Sequence, residues 1–179
     1  MASYYYLIAS LPMLRFDAPP PCSVREFRET CRQSLAQGDW ELVEAVMSEN
    51  DSPSGHPYIR RWNTFRAQLR GMLREQRVQR LGLAHDEQHQ RIDRDVQVAE
   101  AVRAAMQAEH PLEAELILMR LQWDHASRLA QAKVFEVEVL LTYAIQLGIL
   151  ERKALFVPAE GNAEFKRLFS NLQSIIKSI

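Results

Sequence analysis

The residues with the most obvious chemical potential are two histidines four positions apart. His85-Asp86-Glu87-Gln88-His89 puts two imidazoles on one face of a helix, a spacing that can hold a metal ion. It is not the zinc-protease pattern, because Asp86 stands where that pattern has glutamate and Glu87 comes one position later. A third ligand would have to come from His56, His110 or His125, and no spacing brings these together. The acids between the pair more readily solvate a helix start. No metal is therefore expected, with His85 and His89 as the pair to check.

Other chemistries find less support. A di-iron bundle requires Glu-x-x-His pairs on two helices; the nearest match is a single Asp86-x-x-His89, and Glu136 and Glu138 have no histidine at that spacing. The six glycines are isolated, so no phosphate-cradling loop is present, and there is no GxSxG elbow. Cys22 and Cys31 lack the CxxC spacing of a metal or redox pair, and two cysteines are too few for a disulfide framework. The reading is of a non-enzyme without cofactor.

Arginine supplies the one patterned charge feature. Arg60, Arg61, Arg66, Arg70, Arg74, Arg77 and Arg80 face a single acid, Glu75, between residues 58 and 83. Arg66, Arg70, Arg74 and Arg77 share one helical face. Residues 85–115 carry the opposite bias: eight acids (Asp86, Glu87, Asp93, Asp95, Glu100, Glu109, Glu113, Glu115) against Arg91, Arg94 and Arg103. Three uses of the stripe follow. It can pair with the acidic stretch of its own chain, dock an acidic protein, or neutralise phosphates of a nucleic acid.

The elements that must carry these residues are helical. Val134–Leu150, VFEVEVLLTYAIQLGIL, has no charge between Glu138 and Glu151, so as a helix it is apolar on every side and belongs at the centre of a domain. It is too short to span a bilayer, which needs about 20 apolar residues. Phe135–Val139 alternates with the period of a strand. The helical reading is preferred because no Gly or Pro interrupts Leu112–Leu147 and no partner strand is visible.

Ahead of this post, YYYLIASL at residues 4–11 reads as an extended or briefly helical segment, followed by an extended Ala18-Pro19-Pro20-Pro21 linker. Ser23 and Glu26 form a capping box for a helix running to Gln37 and stopping at Gly38. Asp39 then caps a second helix through Ser48. Residues 49–57, ENDSPSGHP, are all turn formers. Tyr58–Leu83 presents Trp62, Phe65, Leu69, Met72, Leu73 and Gln76 on one face, with a turn at Gly82. From about Glu87 to Glu109 the apolar face is expected at Ile92, Val96, Ala99, Val102 and Met106. Pro111 ends that helix or opens the next. A last helix capped by Asn162 carries Phe165, Leu168, Phe169, Leu172, Ile175, Ile176 and Ile179 as a stripe, for the core or for a partner.

The whole is read as one all-α domain over 1–179, an irregular helical bundle around a buried central helix with a short extended N-terminal segment. Residues 1–50 hold that segment and two short helices, 51–57 a loop, and 58–179 the main bundle. A length of 179 residues, 47% hydrophobic and 25% charged, suits such a core, and a net charge of -1 gives no global field for nucleic acid or anionic membrane. The apolar N-terminus lacks a basic region and is cut by Pro12, so a signal peptide is not expected. A reduced, cytoplasmic setting is the expectation.

Two passages carry a family resemblance. The opening YYYLIASLP, with its proline-containing spacer and the Phe27-Arg28-Glu29 helix, resembles a small bacterial family encoded beside V-type ATP synthase subunits. The stretch from Pro111-Leu112-Glu113-Ala114-Glu115 through Phe135 to Thr142-Tyr143-Ala144-Ile145-Gln146-Leu147-Gly148-Ile149-Leu150-Glu151-Arg152 looks like that family's C-terminal half. It is also similar to the helical C (or d) subunit of archaeal and vacuolar rotary ATPases. The resemblance covers about the first tenth and the last third of the chain. It implies a non-catalytic, all-helical socket or assembly factor between central stalk and rotor ring in a proton- or sodium-transporting complex, peripheral to the inner membrane through its partners. The chain is much shorter than a full C subunit and would supply part of such a socket.

Overall fold

The computed structural model describes residues 4–48, 55–82 and 95–156. Seven helices are found among them and no strands: α1 (Tyr5–Ser10), α2 (Val24–Ser34), α3 (Gln37–Met47), α4 (Pro57–Arg80), α5 (Val96–Gln107), α6 (Pro111–Leu129) and α7 (Val137–Ala154). The protein is an all-α bundle built around α7.

Helix α7 is the predicted post. Leu140, Leu141, Thr142, Ala144, Ile145, Leu147, Ile149 and Leu150 are buried, and with them nearly its whole circumference. Helices α2, α3 and α6 pack directly against it, while α5 lies against α4 and α6. Each large apolar side chain so enclosed contributes about 1.5–3 kcal/mol, an upper range because an unfolded chain is already partly collapsed.

Local chemistry sets most boundaries. The Ser23 hydroxyl accepts from the Glu26 amide and the Glu26 carboxylate accepts from the Ser23 amide, so the capping box forms as read. Pro57 and Pro111 each occupy the first turn of a helix, where a missing N–H costs nothing. Gly82, at φ 62°, takes the left-handed conformation just beyond α4 that glycine adopts without steric cost.

Four expectations are corrected. Helix α2 ends at Ser34, not Gln37, because Leu35 and Ala36 turn extended; Gly38 lies inside α3 instead of stopping α2. Asp39 is therefore in the first turn of α3 and not its N-cap, and there its carboxylate accepts from the Tyr4 hydroxyl. In α5 the buried face is Val98, Val102 and Ala105, while Val96 is exposed in the first turn behind the Asp95 cap. Of the expected positions Val102 lies on that face, Ala99 and Met106 pack half-buried against the core, and Val96 alone among the described ones falls outside. Finally, the chain breaks between Leu129 and Val137 with neither Gly nor Pro. Phe135 and Glu136 lead into α7, and the alternation at 135–139 is no strand.

The N-terminal segment takes the helical option over Tyr5–Ser10 and is non-helical from Leu11 to Ser23. It forms a strap that follows α7 from start to finish. The Tyr4 amide donates to the Phe135 carbonyl at 2.8 Å, the Tyr143 hydroxyl donates to the Pro12 carbonyl at 3.0 Å, and Lys153 Nζ donates to the Phe16 carbonyl at 2.5 Å. The Val24 amide closes the series by donating to Glu151 Oε1 at 2.6 Å. These bonds satisfy backbone groups that an irregular segment cannot pair within itself. The C-terminal stripe at 165–179, its Asn162 cap and most of the 49–57 loop lie outside the described residues.

Candidate functional site

Helix α4 divides its circumference between two tasks. Tyr58, Ile59, Trp62, Phe65, Leu69 and Met72 are buried, whereas Arg60, Arg61, Arg70, Arg74, Arg77 and Arg80 are exposed. Of the predicted stripe, Arg70, Arg74 and Arg77 face solvent and Arg66 is half-buried. At 1.5 Å per residue, Arg66 to Arg80 spans roughly 20 Å of helix. Helix α5 lies beside α4 and carries one acid, Glu100, against one base, Arg103. Glu115 of the acidic stretch, however, pairs with Arg152 of α7 at 3.0 Å. His85 and His89 lie outside the described residues. Among those described, no group of three His, Cys, Asp or Glu is placed to hold a metal.

At its first turns α4 meets two polar clusters that the sequence did not disclose. In one, the Thr142 hydroxyl donates to the Ala126 carbonyl at 3.3 Å and lies 2.8 Å from the Tyr58 hydroxyl. Threonine has one hydrogen to give, so Tyr58 donates in turn to Thr142. Burial pushes the Tyr58 phenol well above its ordinary range, and the neighbouring Glu138 charge adds to this. Glu138 is mostly buried in the first turn of α7, with Oε1 3.9 Å from His56 Nε2 and 3.8 Å from Lys133 Nζ. Its Oε2 has no hydrogen-bond partner among the described residues. Lys133 also bonds the Glu136 carboxylate, which holds its ammonium above the usual range. The acid sits where the α7 dipole favours it and a cation closes it off, an arrangement that fixes the start of the central helix.

The second cluster centres on His125 of α6. Its ring lies parallel to Phe65, with centroids 3.8 Å apart and planes 9° from one another, and Trp62 stands 6.2 Å away. Burial, aided by the Arg128 charge and opposed by Asp95, lowers His125 to about 4, so the imidazole is neutral at pH 7. Arg128 Nη2 approaches His125 Nδ1 at 3.5 Å. A guanidinium only donates, so Nδ1 is the acceptor and the ring hydrogen belongs on Nε2. That Nε2 is buried and has no partner among the described residues. Beside it, Arg60, Arg61, Phe65, His125 and Leu129 border an open groove of about 330 Å³.

Sequence reasoning named Arg60, Arg61 and His125 separately and gave no reason for them to converge. No spacing rule links residues 61 and 125; the crossing of α4 and α6 does. A partial signal existed in Trp62 and Phe65, whose place on the core face implied that a neighbouring helix would meet them.

Among the described residues no helix is long and apolar enough to cross a membrane. Residues 1–90 match a family model described as a protein of unknown function (DUF2764). No curated protein and no solved structure matched the chain.

Proposed function

The chain belongs to the DUF2764 family, proteins of unknown function, and from that premise we propose that it is a non-catalytic docking subunit or assembly factor of a V-type ATP synthase. It engages stalk or rotor proteins through helix faces and forms part of the socket that links the central stalk to the rotor ring. It works in the cytoplasm, peripheral to the inner membrane through the complex. The resemblance of the YYYLIASLP opening and the 111–152 stretch to rotary-ATPase-associated proteins supports this reading.

The observation that carries it is the division of α4, whose apolar side is committed to the core while Arg74, Arg77 and Arg80 project from an ordered helix. Charges held in this way steer encounter and set the register of an acidic partner. The test is co-purification of the tagged full chain from native membranes in mild detergent. Rotary ATPase subunits are expected to travel with it, and Arg74→Glu with Arg77→Glu to release them. A wild-type chain that never travels with those subunits ends the proposal.

The same face favours a second reading, binding of a nucleic acid. Affinity for DNA or RNA falling steeply with salt would support that reading, whereas absence of binding at low salt removes it.

A further inference from the structure

We propose that the groove between α4 and α6 seats an apolar side chain from an acidic segment of a partner protein, with Arg60 and Arg61 pairing the acids that flank it. This rests on the docking reading above and assigns the contact to the first half of α4, apart from the stripe at its other end.

The chemistry of the lining selects the occupant. Phe65 and His125 are stacked face to face, and Leu129 closes the apolar side, so the groove presents carbon to whatever enters. Its charged groups, the two arginines, only donate, and they stand beside the neutral Thr64 and Gln68. Arg60 and Arg61 are exposed, and neither guanidinium forms an ion pair or hydrogen bond among the described residues. Arg128, also exposed, adds a third positive charge next to His125. The Thr64 hydroxyl gives its hydrogen to the Arg60 carbonyl at 2.9 Å, which leaves its oxygen an acceptor only. A surface with hydrogens to give and positive charge to neutralise recruits acceptors and anions. Its apolar lining adds a demand that a bare phosphate cannot meet.

An acidic segment with one aliphatic or aromatic anchor meets both demands. Burying the anchor supplies the attraction, and the flanking carboxylates meet the arginines at the rim, the usual division of labour between a binding hot spot and its surround. An acidic helix serves because side chains one turn from the anchor lie beside it on the same face.

The experiment uses the full chain carrying ¹³C-labelled histidine. The probe is a short helical peptide with a central leucine and glutamates one turn away on either side. A matched peptide with glutamine at those positions is the control. The glutamate peptide is expected to shift the His125 ring resonance in a saturable way. The glutamine peptide, and the Arg60→Glu, Arg61→Glu double variant, are each expected to bind about tenfold more weakly or worse. Both substitutions are on the surface, and circular dichroism checks that the fold is kept.

No shift at His125, or equal binding by the two peptides, overturns the proposal. Binding lost in Arg74→Glu with Arg77→Glu but unchanged in the rim variant also overturns it, while leaving the docking reading in place. If oligothymidylate shifts His125 at lower concentration than the peptide does, the partner class is wrong.

Discussion

Lys153 near the end of α7 holds Phe16 in two ways: its ammonium lies 4.6 Å from the ring centroid and donates to that residue's own carbonyl at 2.5 Å. Arg120 of α6 stands 5.1 Å from the same ring, and Trp123 meets its edge at 5.6 Å. A half-buried phenylalanine in an irregular segment thereby ties α6 and α7 together and anchors the far end of the N-terminal strap. Phe16→Ala should cost about 1–3 kcal/mol, from one aromatic contact and two cation–π contacts. Urea denaturation measures the loss. Limited proteolysis should cut first between residues 11 and 22, and a cleavage pattern identical to wild type would show that the strap does not depend on Phe16.

The Tyr58–Thr142–Ala126 chain of hydrogen bonds predicts an order of damage. Tyr58→Phe removes one buried bond and leaves Thr142 still donating to Ala126, at about 0.5–1.5 kcal/mol. Thr142→Val strands both the Tyr58 hydroxyl and the Ala126 carbonyl and should cost more, about 1–3 kcal/mol. In the double variant the phenol is gone, so the penalties should sum to less than the two single losses. Chemical denaturation of the three variants reads this directly.

His125 makes the fold acid-sensitive. Its folded value is lowered to about 4 from an ordinary 6.5, chiefly by burial. Between those values the unfolded chain binds the proton and the folded chain does not, so stability falls as pH drops from about 6.5 to about 4 and levels off below. His125→Phe keeps a ring against Phe65 but cannot titrate. Its stability should fall less between pH 6.5 and 5 than that of the wild type, and parallel curves over that interval would refute the assignment.

The two thiols should differ in reactivity. Cys31 is fully buried in α2 and burial pushes its thiol up to about 12, so almost no thiolate exists at neutral pH. Cys22 is half-buried before α2 and its thiol donates to the Tyr143 oxygen at 3.7 Å, since that hydroxyl gives its own hydrogen to Pro12. Iodoacetamide on the native protein should label Cys22 first and reach Cys31 only at the rate of unfolding. Peptide mapping over time distinguishes the two, and equal labelling would mean that α2 opens locally.

Much of the bundle was legible because its signals are local. An uncharged run from Val139 to Leu150 has only one place to go, and it forms the buried α7. Ser23 with Glu26 makes a reciprocal cap within a single turn, and Pro57 and Pro111 open helices for steric reasons internal to each residue. Where a boundary depended on competition, the local signal misled. Gly38 can end a helix but need not, and the chain turned two residues earlier at Leu35–Ala36, which let Asp39 meet Tyr4. The break at 130–136 carries no Gly or Pro, and Phe135 is bonded there to the N-terminal strap.

The sequence by itself determined that this protein is helical, which helix lies at its centre and that α4 carries an arginine-rich exterior. Each of those follows from side chains within a few turns of one another. Only the tertiary structure decided that α5 buries Val98 in place of Val96, that residues 4–24 run the length of α7, and that Arg60 and Arg61 stand over His125. Those relationships join positions far apart in the chain. They come from how helices cross once the core has closed, and no periodicity in the residues records a crossing.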